Sequence, residues 1–419
     1  MSYKFLLAIC VYLPFQLAIS PTPEIDLASI RILIILLFFS WILEGLKNKK
    51  LILPAKIPLL LVFSFLFFCA LSLAVSKNIN WSFRKLAFLF SIFPLYFIAS
   101  ALIKNGSEYK KIIKLLVWGA GLSAIIGLVQ FIIQFVAGLD YSMKLWSLVI
   151  RPFLGTAFSQ AVMDNPSWLV NLSGKTVFRA VSLFPDPHMF SFYLGMVIPW
   201  SIALYFEEKK KLYALIFIVL LAADFLTFSR GGYLGLMAGI IFWLLFSGKK
   251  IIAAHKKKFA FGLIILFLII FTKNPVSRRL VSSFDLGEGS NQGRLETWKQ
   301  SFEVIRKNPL LGVGLGNYPL EIKPSADYRE PIYSHNLYLD IAAETGILNA
   351  VIFIALLLSA IISFIKKSAR NNFFMAGAVS LAIFSAHSFF ETPLFSVHIL
   401  PLLLIIISLS HDNQKAYNI

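Results

Sequence analysis

Charge is scarce in this sequence. Only 14% of the 419 residues are Asp, Glu, Lys or Arg, whereas 58% are hydrophobic and 15% are aromatic. A soluble globular domain carries about 25% charged residues, so this composition excludes an ordinary soluble enzyme and predicts a polytopic membrane protein. Acidic residues are the scarcer kind, with 21 Asp and Glu against 39 Lys and Arg. A membrane protein collects such an excess in its cytoplasmic loops, so the positive charge does not indicate a nucleic-acid partner.

Metal-binding and nucleotide-binding motifs are also missing. The two cysteines, Cys10 and Cys69, both lie in apolar runs, which makes a disulfide framework unlikely on composition alone. No Asp-x-Asp pair occurs, so a metal-bound nucleotide-sugar site has little support. The glycine-rich turn at 308–317 lacks the Gly-Lys-Ser/Thr ending of a P-loop and is interpreted as a backbone hinge. We therefore expect neither a metal nor a cofactor.

Long apolar runs are abundant instead. A bilayer core about 30 Å thick needs roughly 20 apolar residues per helix. The sequence predicts an all-α fold, a single integral membrane domain over residues 1–419 with about twelve transmembrane helices. The expected spans are 4–20, 27–46, 57–75, 86–103, 112–138, 188–206, 212–228, 232–247, 259–272, 347–365, 372–390 and 395–410.

The distribution of Lys and Arg predicts the orientation. Connections rich in cations, such as 366–370, alternate with short connections that carry few, such as 391–395. Both termini are therefore expected in the cytoplasm, and the two long loops, 139–187 and 273–346, on the outer face. Pro21, just after the first apolar run, argues against cleavage of a signal peptide. Nucleotide sugars are not supplied outside the membrane, so an enzyme there must use a donor carried by the membrane, such as a lipid diphosphate.

Three arginines are expected at this outer boundary. Arg179 precedes a rigid Pro-Asp-Pro turn, and Arg230 lies in a tight turn before Gly-Gly. Arg294 begins a pattern with apolar residues at i, i+3, i+7 and i+10, which predicts an amphipathic helix over 294–306 with Arg294 at its N-terminal edge. A guanidinium fork matches phosphate oxygens bidentately, so the three arginines suit a diphosphate. The alternative is that they only meet lipid headgroups.

One histidine has a position suited to proton transfer. His335 lies at the start of a predicted helix, with Ser334 as the expected N-cap and Asp340 and Glu344 on one helix face. The positive end of a helix dipole disfavours imidazolium, so His335 is expected to be neutral at pH 7 and able to accept a proton. The alternative is an interfacial histidine bonded to a carbonyl group.

Several motifs together resemble the O-antigen ligase and polymerase superfamily. They are TFSRGG, QGRLETW, NPLLGVGLGNYP and SHNLYLDIAAETGILNAVIF, within about 225–365, together with FRAVSLFPDPHMFSFYL. The resemblance implies a GT-C-like fold in the bacterial inner membrane and metal-independent, inverting transfer of an undecaprenyl-diphosphate-linked glycan. It also implies that His335 is the catalytic base and that Arg230 and Arg294 hold the diphosphate, with Arg179 as a third ligand.

The motifs specify the donor, whereas the choice of acceptor depends on the overall layout of the chain. The length and the expected twelve spans, with no large domain after residue 411, favour a ligase that acts on a lipid A-core acceptor at the periplasmic face. A polymerase that joins lipid-linked repeat units is the alternative. A transporter or flippase is a third interpretation, which requires ionisable residues at mid-membrane depth, and Asp224 is one candidate.

Overall fold

The computed structural model describes residues 1–22, 25–103, 105–164, 167–172, 174–248, 277, 279, 281–282, 287, 289–410 and 415–418. Helices make up 75% of the structure, with little sheet, so the predicted all-α polytopic membrane class is confirmed. The helices before residue 249 are α1 (Ser2–Tyr12), α2 (Ser29–Lys47), α3 (Lys56–Leu71), α4 (Ile79–Ile92), α5 (Pro94–Leu102), α6 (Gly106–Ala137), α7 (Leu139–Leu154), α8 (Thr156–Asp164), α9 (Pro187–Glu208), α10 (Lys211–Leu226) and α11 (Arg230–Trp243).

Further helices and three small antiparallel strand pairs follow. The helices from residue 289 onward are α12 (Gly289–Lys307), α13 (Tyr318–Ile322), α14 (Leu337–Thr345), α15 (Ile347–Ser368), α16 (Met375–His387) and α17 (Ile399–Ser410). The strand pairs are β1 (Ala18–Thr22) with β2 (Ile25–Ala28), β3 (Lys50–Leu53) with β6 (Lys415–Asn418), and β4 (Leu169–Leu172) with β5 (Lys175–Phe178).

Seven helical segments of the described chain are long and apolar enough to cross a membrane. Eleven of the twelve predicted spans fall on an apolar helix, and the remaining one, 259–272, lies outside the described residues. The number of crossings stays a prediction. Some predicted boundaries are wrong. The span placed at 86–103 is already helical from Ile79, so Arg84 and Lys85 lie within α4 and not in a connecting loop. The span placed at 4–20 is helical only to Phe15, because Ala18–Thr22 forms β1.

The helix α9 is the most enclosed of these spans, and it packs against α6, α10, α11 and α16. Small residues permit this close packing. A Cβ atom at Gly239 of α11 would lie 2.5 Å from the side chain of Ile383 in α16, and one at Gly195 of α9 would lie 3.0 Å from it. Close backbone approach of this kind is how helices associate where no water drives them together.

The described parts of the two long loops, which were predicted to share one face, lie at the same end of the bundle. The first loop contains α7, whose Trp146 and Ile150 are buried. One carboxylate connects three parts of this end. Asp26 Oδ2 accepts hydrogen bonds from the backbone N–H of Phe158 at 2.6 Å and from Arg329 Nη1 at 3.4 Å. The β1–β2 hairpin, α8 and the second loop therefore lie together.

The helix α12 of the second loop begins earlier than expected. It starts at Gly289, so Arg294 lies in its second turn and not at its N-terminal edge. Residues 289–293, just before Arg294, are therefore helical as well. The buried hydroxyl of Ser301 contacts the hydroxyl of Tyr318 at 2.7 Å, which fixes α12 against the chain that follows it.

The glycine-rich turn is packed tightly and is not a free hinge. The backbone N–H groups of Val313 and Gly314 donate to the carbonyl groups of Ala343 and Glu344 at 2.9 and 3.0 Å. Gly312 has φ +65°, and a Cβ atom there would lie 2.4 Å from the Ala343 carbonyl oxygen. The turn thus needs glycine for both its conformation and its close approach, and it fixes the C-terminal end of α14.

Candidate functional site

Five segments that are far apart in the sequence converge at this end of the bundle. They are 179–188, 227–230, 291–294, 333–336 and 388–392, and hydrogen bonds or ion pairs join each of them to another. Each segment lies at or next to the end of a helix or helical turn. The bundle therefore places helix ends and the turns beside them around a common centre.

The centre of this cluster is Glu391, in the turn between α16 and α17. Its side chain is only 4% exposed, and its Oε2 atom lies 3.2 Å from His335 Nδ1. Its Oε1 atom lies 3.3 Å from Arg294 Nη2 and 3.7 Å from His188 Nδ1. Burial opposes ionisation of Glu391, but the positive neighbours outweigh it and hold the pKa of this carboxyl well below its ordinary value. Glu391 is therefore an anion at neutral pH.

His335 occupies an unusual backbone position immediately before α14. Its φ angle is +53°, a left-handed conformation that non-glycine residues seldom adopt. The predicted N-cap, Ser334, is wrong. Asn336 caps the helix, because its Oδ1 atom accepts hydrogen bonds from the backbone N–H groups of Tyr338 at 3.0 Å and Leu339 at 3.2 Å. The histidine therefore precedes the cap and does not belong to the first helical turn.

The electrostatic environment of His335 differs from the one that its position suggested. Burial disfavours the imidazolium form, but the charge and hydrogen bond of Glu391 outweigh burial, so the pKa of His335 is raised above its ordinary value of 6.5. The expectation of a lowered pKa from the helix dipole is wrong, because a buried carboxylate in direct contact acts more strongly than a partial charge. The ring also packs on Tyr333, with centroids 4.3 Å apart.

A second buried carboxylate fixes the loops that carry His335 and Glu391. Asp340 Oδ1 accepts a hydrogen bond from the backbone N–H of Ser334 at 2.8 Å, and its Oδ2 accepts one from the hydroxyl of Thr392. In addition, the backbone N–H of Leu337 donates to the carbonyl of Ser388 at 2.9 Å. The two loops are therefore held at a defined separation.

Arg179 is held by backbone carbonyl groups. Its Nε atom donates to the Thr227 carbonyl at 2.6 Å and its Nη1 atom to the Ser167 carbonyl at 3.0 Å. The residue is 3% exposed, and its Nη2 atom is buried without a hydrogen-bond partner among the described residues. Burial, with the repulsion of Arg279, lowers the pKa of Arg179 to about 9, so it stays positive at neutral pH. A buried donor without a partner is costly, which suits a site that awaits an acceptor.

Arg230 is the first residue of α11 and is only 4% exposed. Its Nη1 atom donates to Asn291 Oδ1 at 3.1 Å. The preceding residue, Ser229, caps the helix by accepting from the backbone N–H of Gly232, and its hydroxyl lies 3.0 Å from His188 Nδ1. Since His188 also faces Glu391, this serine connects the arginine segment to the centre of the cluster.

Two of the four predicted site residues thus share one carboxylate. Arg294 and His335 both contact Glu391, whereas Arg230 lies in the adjoining 227–230 segment and Arg179 donates to the Thr227 carbonyl of that segment. Sequence reasoning missed Glu391 as a site residue. The available signal was an isolated acid in a short turn between two apolar spans, where an ionisable residue is expensive.

The positive charge of the site comes from side chains. Within the part of the chain that the structure describes, no three His, Cys, Asp or Glu side chains come together to hold a metal ion. The cluster instead offers a histidine that can exchange a proton and several guanidinium groups that can stabilise an anion. That combination suits displacement of an anionic leaving group by a hydroxyl.

Comparison with known families matches part of the chain. Residues 214–354 match the family model described as O-Antigen ligase. The matched region includes Arg230, Arg294 and His335 but ends before Glu391 and begins after Arg179. No curated protein matches the chain at a significant level. The match supports a ligase- or polymerase-type function and an enzyme in general. The match over residues 214–354 thus supports the O-antigen ligase superfamily that the motifs of the sequence resemble.

Proposed function

We propose that the protein transfers an undecaprenyl-diphosphate-linked O-antigen glycan to a lipid A-core acceptor at the periplasmic face of the inner membrane. The reaction is metal-independent and inverts the anomeric configuration. The observation that carries the proposal is the buried carboxylate of Glu391, which holds His335 and Arg294 at 3.2 and 3.3 Å beside the segment that contains Arg230. A candidate base and a candidate anion-binding group are thus held next to each other by one carboxylate.

His335 is the base in this proposal. Its Nδ1 atom faces Glu391, which leaves Nε2 for the proton of the acceptor hydroxyl, and the side chain is 33% exposed and therefore reachable. The imidazolium that forms is stabilised by the buried carboxylate. A positioned base of this kind contributes roughly 10²- to 10⁴-fold to a rate.

The arginines stabilise the leaving group. As the acceptor oxygen attacks the anomeric carbon, the bond from that carbon to the phosphate oxygen breaks, and its electron pair leaves with the diphosphate. The backside attack gives inversion. Arg179, Arg230 and Arg294 are held by the fold before the substrate arrives, and such preorganised charges stabilise developing negative charge without reorganisation. No metal or cofactor is required.

The membrane placement follows from charge and fold together. Residues 1–419 form one integral membrane domain with both termini in the cytoplasm, since Lys and Arg collect on the connections of that side. The segments 139–187 and 273–346 are the periplasmic loops. What supports this placement is that described parts of both segments meet at one end of the bundle, next to the ends of apolar helices.

The direct test is a reconstituted transfer assay. The full-length protein in phosphatidylcholine nanodiscs receives undecaprenyl-diphosphate-linked glycan and lipid A-core, and the product is analysed for mass and anomeric configuration. Formation of an inverted glycan–lipid A-core product is expected. A product with retained configuration, or the absence of any product with active donor and acceptor, would refute the proposal.

A deletion strain separates the ligase from its alternative. A ligase deletion accumulates long lipid-linked polymer, whereas deletion of a polymerase accumulates single lipid-linked repeat units. We expect the long polymer. Accumulation of single repeat units would show that the protein is a polymerase. The transfer chemistry would then be the same, but the acceptor would be a lipid-linked repeat unit instead of lipid A-core.

A further inference from the structure

A second group of cations lies near the Glu391 cluster, between α2, α4 and the second loop. We call it the cationic patch. It comprises the cations Arg31, Arg84, Lys85 and Arg329 together with the aromatic rings of Phe88, Tyr328 and Phe395.

Two of these cations lie over aromatic rings. The guanidinium carbon of Arg84 is 4.0 Å from the ring centroid of Tyr328, and Lys85 Nζ is 3.6 Å from the ring centroid of Phe395. Cation–π contacts at such distances hold a cation in place without neutralising its charge. The positive charge of both residues therefore remains available to a ligand.

Arg31 is held in a similar way from the neighbouring helix. It lies in the first turn of α2, its Nε atom donates to Ser91 Oγ at 2.8 Å, and its guanidinium carbon is 5.4 Å from the ring of Phe88. An arginine that only anchors a helix in headgroups extends freely into the interface. Arg31 is instead fixed between two helices by a hydroxyl group and a ring.

The carboxylates around the patch compensate little of this charge. Neither Arg31 nor Arg84 forms an ion pair with any described residue, whereas Arg329 pairs with Asp26 at 3.4 Å. Glu344 and Asp340 are the carboxyl groups that act electrostatically on Lys85. Burial raises the pKa of both, and that of Glu344 to about 7, so Glu344 is a weak counterion near neutrality. The patch therefore carries an excess of positive charge that an anion can satisfy.

Access to the patch is from the membrane side. Arg84 is exposed, and on the same helix the apolar side chains of Phe83 and Phe90 are 57% and 52% exposed. In a membrane-spanning helix such exposed apolar rings face lipid. A ligand that reaches Arg84 thus has an apolar part within the bilayer and an anionic part at its outer boundary.

The patch is also next to the proposed active site. Phe395, which contacts Lys85, follows Glu391 by four residues in the same turn, and its ring packs on Phe88 with centroids 5.7 Å apart. Transfer between two lipids requires two membrane-anchored substrates at one centre, and the donor diphosphate already has Arg179 and Arg230. We infer that the cationic patch binds the phosphorylated headgroup of the acceptor glycolipid. This inference rests on the proposed function.

The test measures acceptor recognition in the reconstituted full-length protein. The variants are Arg31→Gln, Arg84→Gln and the double variant, and the control is Arg151→Gln, an exposed arginine on α7. The acceptor is lipid A-core, used either with its phosphates or after their enzymatic removal. Each patch variant should raise the KM for the phosphorylated acceptor by roughly 10- to 150-fold, because one charge-assisted hydrogen bond contributes about that factor.

Three further results are expected with these variants. The kcat at saturating acceptor and the KM for the donor stay at the wild-type values. With dephosphorylated acceptor, the variants and the wild type have the same acceptor KM. The Arg151→Gln control has the wild-type KM for the phosphorylated acceptor. An unchanged acceptor KM, an increase in donor KM instead, or an equal penalty with dephosphorylated acceptor would each overturn the inference.

A binding measurement separates the possible anion sources and is independent of transfer. Binding of phosphorylated lipid A-core to the wild type and the double variant is measured in nanodiscs of phosphatidylcholine, with phosphatidylglycerol or inorganic phosphate as competitor. Weaker binding by the double variant, with little competition from either, supports the inference. If phosphatidylglycerol competes as well as lipid A-core, the patch is a general contact for anionic lipids, which would overturn the inference. If inorganic phosphate competes as well, the patch is a site for small anions, which would also overturn it. If transfer fails in the wild type while this binding pattern holds, the proposed function fails and the binding site stands.

Discussion

Two kinds of support hold the basic side chains of the candidate site. Arg294 and His335 contact the carboxylate of Glu391, whereas Arg179 is held by backbone carbonyl groups. The side-chain amide of Asn291 holds Arg230 in the same neutral fashion. Carbonyl groups fix the guanidinium of Arg179 without adding a negative charge, while the carboxylate of Glu391 fixes His335 and raises its pKa. The proposed anion-binding and proton-transfer groups therefore have different supports, and Arg294 connects them because it contacts the same carboxylate as His335.

The largest effect should come from removing the proton acceptor. His335→Ala should lower the transfer rate by about 10²- to 10⁴-fold, because no other histidine contacts Glu391 from the same exposed position. The rate is measured in the reconstituted assay, together with expression level, thermal melting and donor binding, which should stay normal. Near wild-type transfer by a folded variant would mean that His335 is not the base.

Arginine-to-lysine exchanges test the anion-binding side. Arg230→Lys and Arg294→Lys each keep the charge but lose the guanidinium fork, so each should lower the rate by about 10- to 150-fold, as expected for one charge-assisted hydrogen bond. Because both are proposed to bind one diphosphate, their double variant should be non-additive. Arg151→Lys on α7 is the control and should be neutral. Small, additive effects at all three positions would mean that these arginines only meet headgroups.

The proton-transfer side can be tested through pH dependence. Below its pKa, His335 is already protonated and cannot act as a base, so the rate should fall as the pH drops through that pKa. The acid limb of the wild-type profile is expected above pH 6.5, because Glu391 raises the pKa. Glu391→Gln removes the main charge that opposes the effect of burial on His335, so the acid limb should move to lower pH. The maximal rate should also fall by roughly 10- to 150-fold with the loss of a charge-assisted hydrogen bond.

A matched variant sharpens that measurement. Arg294→Gln removes a positive neighbour that lowers the pKa of His335, so its acid limb should move to higher pH, opposite to the effect of Glu391→Gln. The measurement is kcat/KM against pH for both variants. Shifts in the same direction would show that the fall in kcat/KM at acid pH comes from the titration of a group other than His335.

The smallest effect is expected from a chelator. Transfer in EDTA should stay within about twofold of the untreated rate, because the proposed stabilisation of the diphosphate comes from arginines. The control adds a divalent cation back after chelation. Loss of activity in EDTA with recovery on adding the cation would refute the metal-independent mechanism.

Local sequence is sufficient to predict the helices, the family and the common end of the two long loops. Apolar runs long enough for a bilayer predict the helices, because length and hydropathy are local properties that any fold must accommodate. Motifs around Arg230, Arg294 and His335 were sufficient to indicate the family that residues 214–354 match. The cation distribution also predicted that the two long loops share one end, and the described parts of both loops do meet.

The contacts among the site residues, in contrast, depend on how distant segments of the chain pack together. Glu391 is 97 residues from Arg294 and 56 from His335, so no local pattern reveals that it contacts both. The pKa of His335 was predicted in the wrong direction, because a helix dipole follows from local sequence, whereas contact with a buried carboxylate depends on how distant turns pack. For the same reason, the pattern of Lys and Arg could assign Arg84 to a loop, but only the packed helices bring it onto the ring of Tyr328.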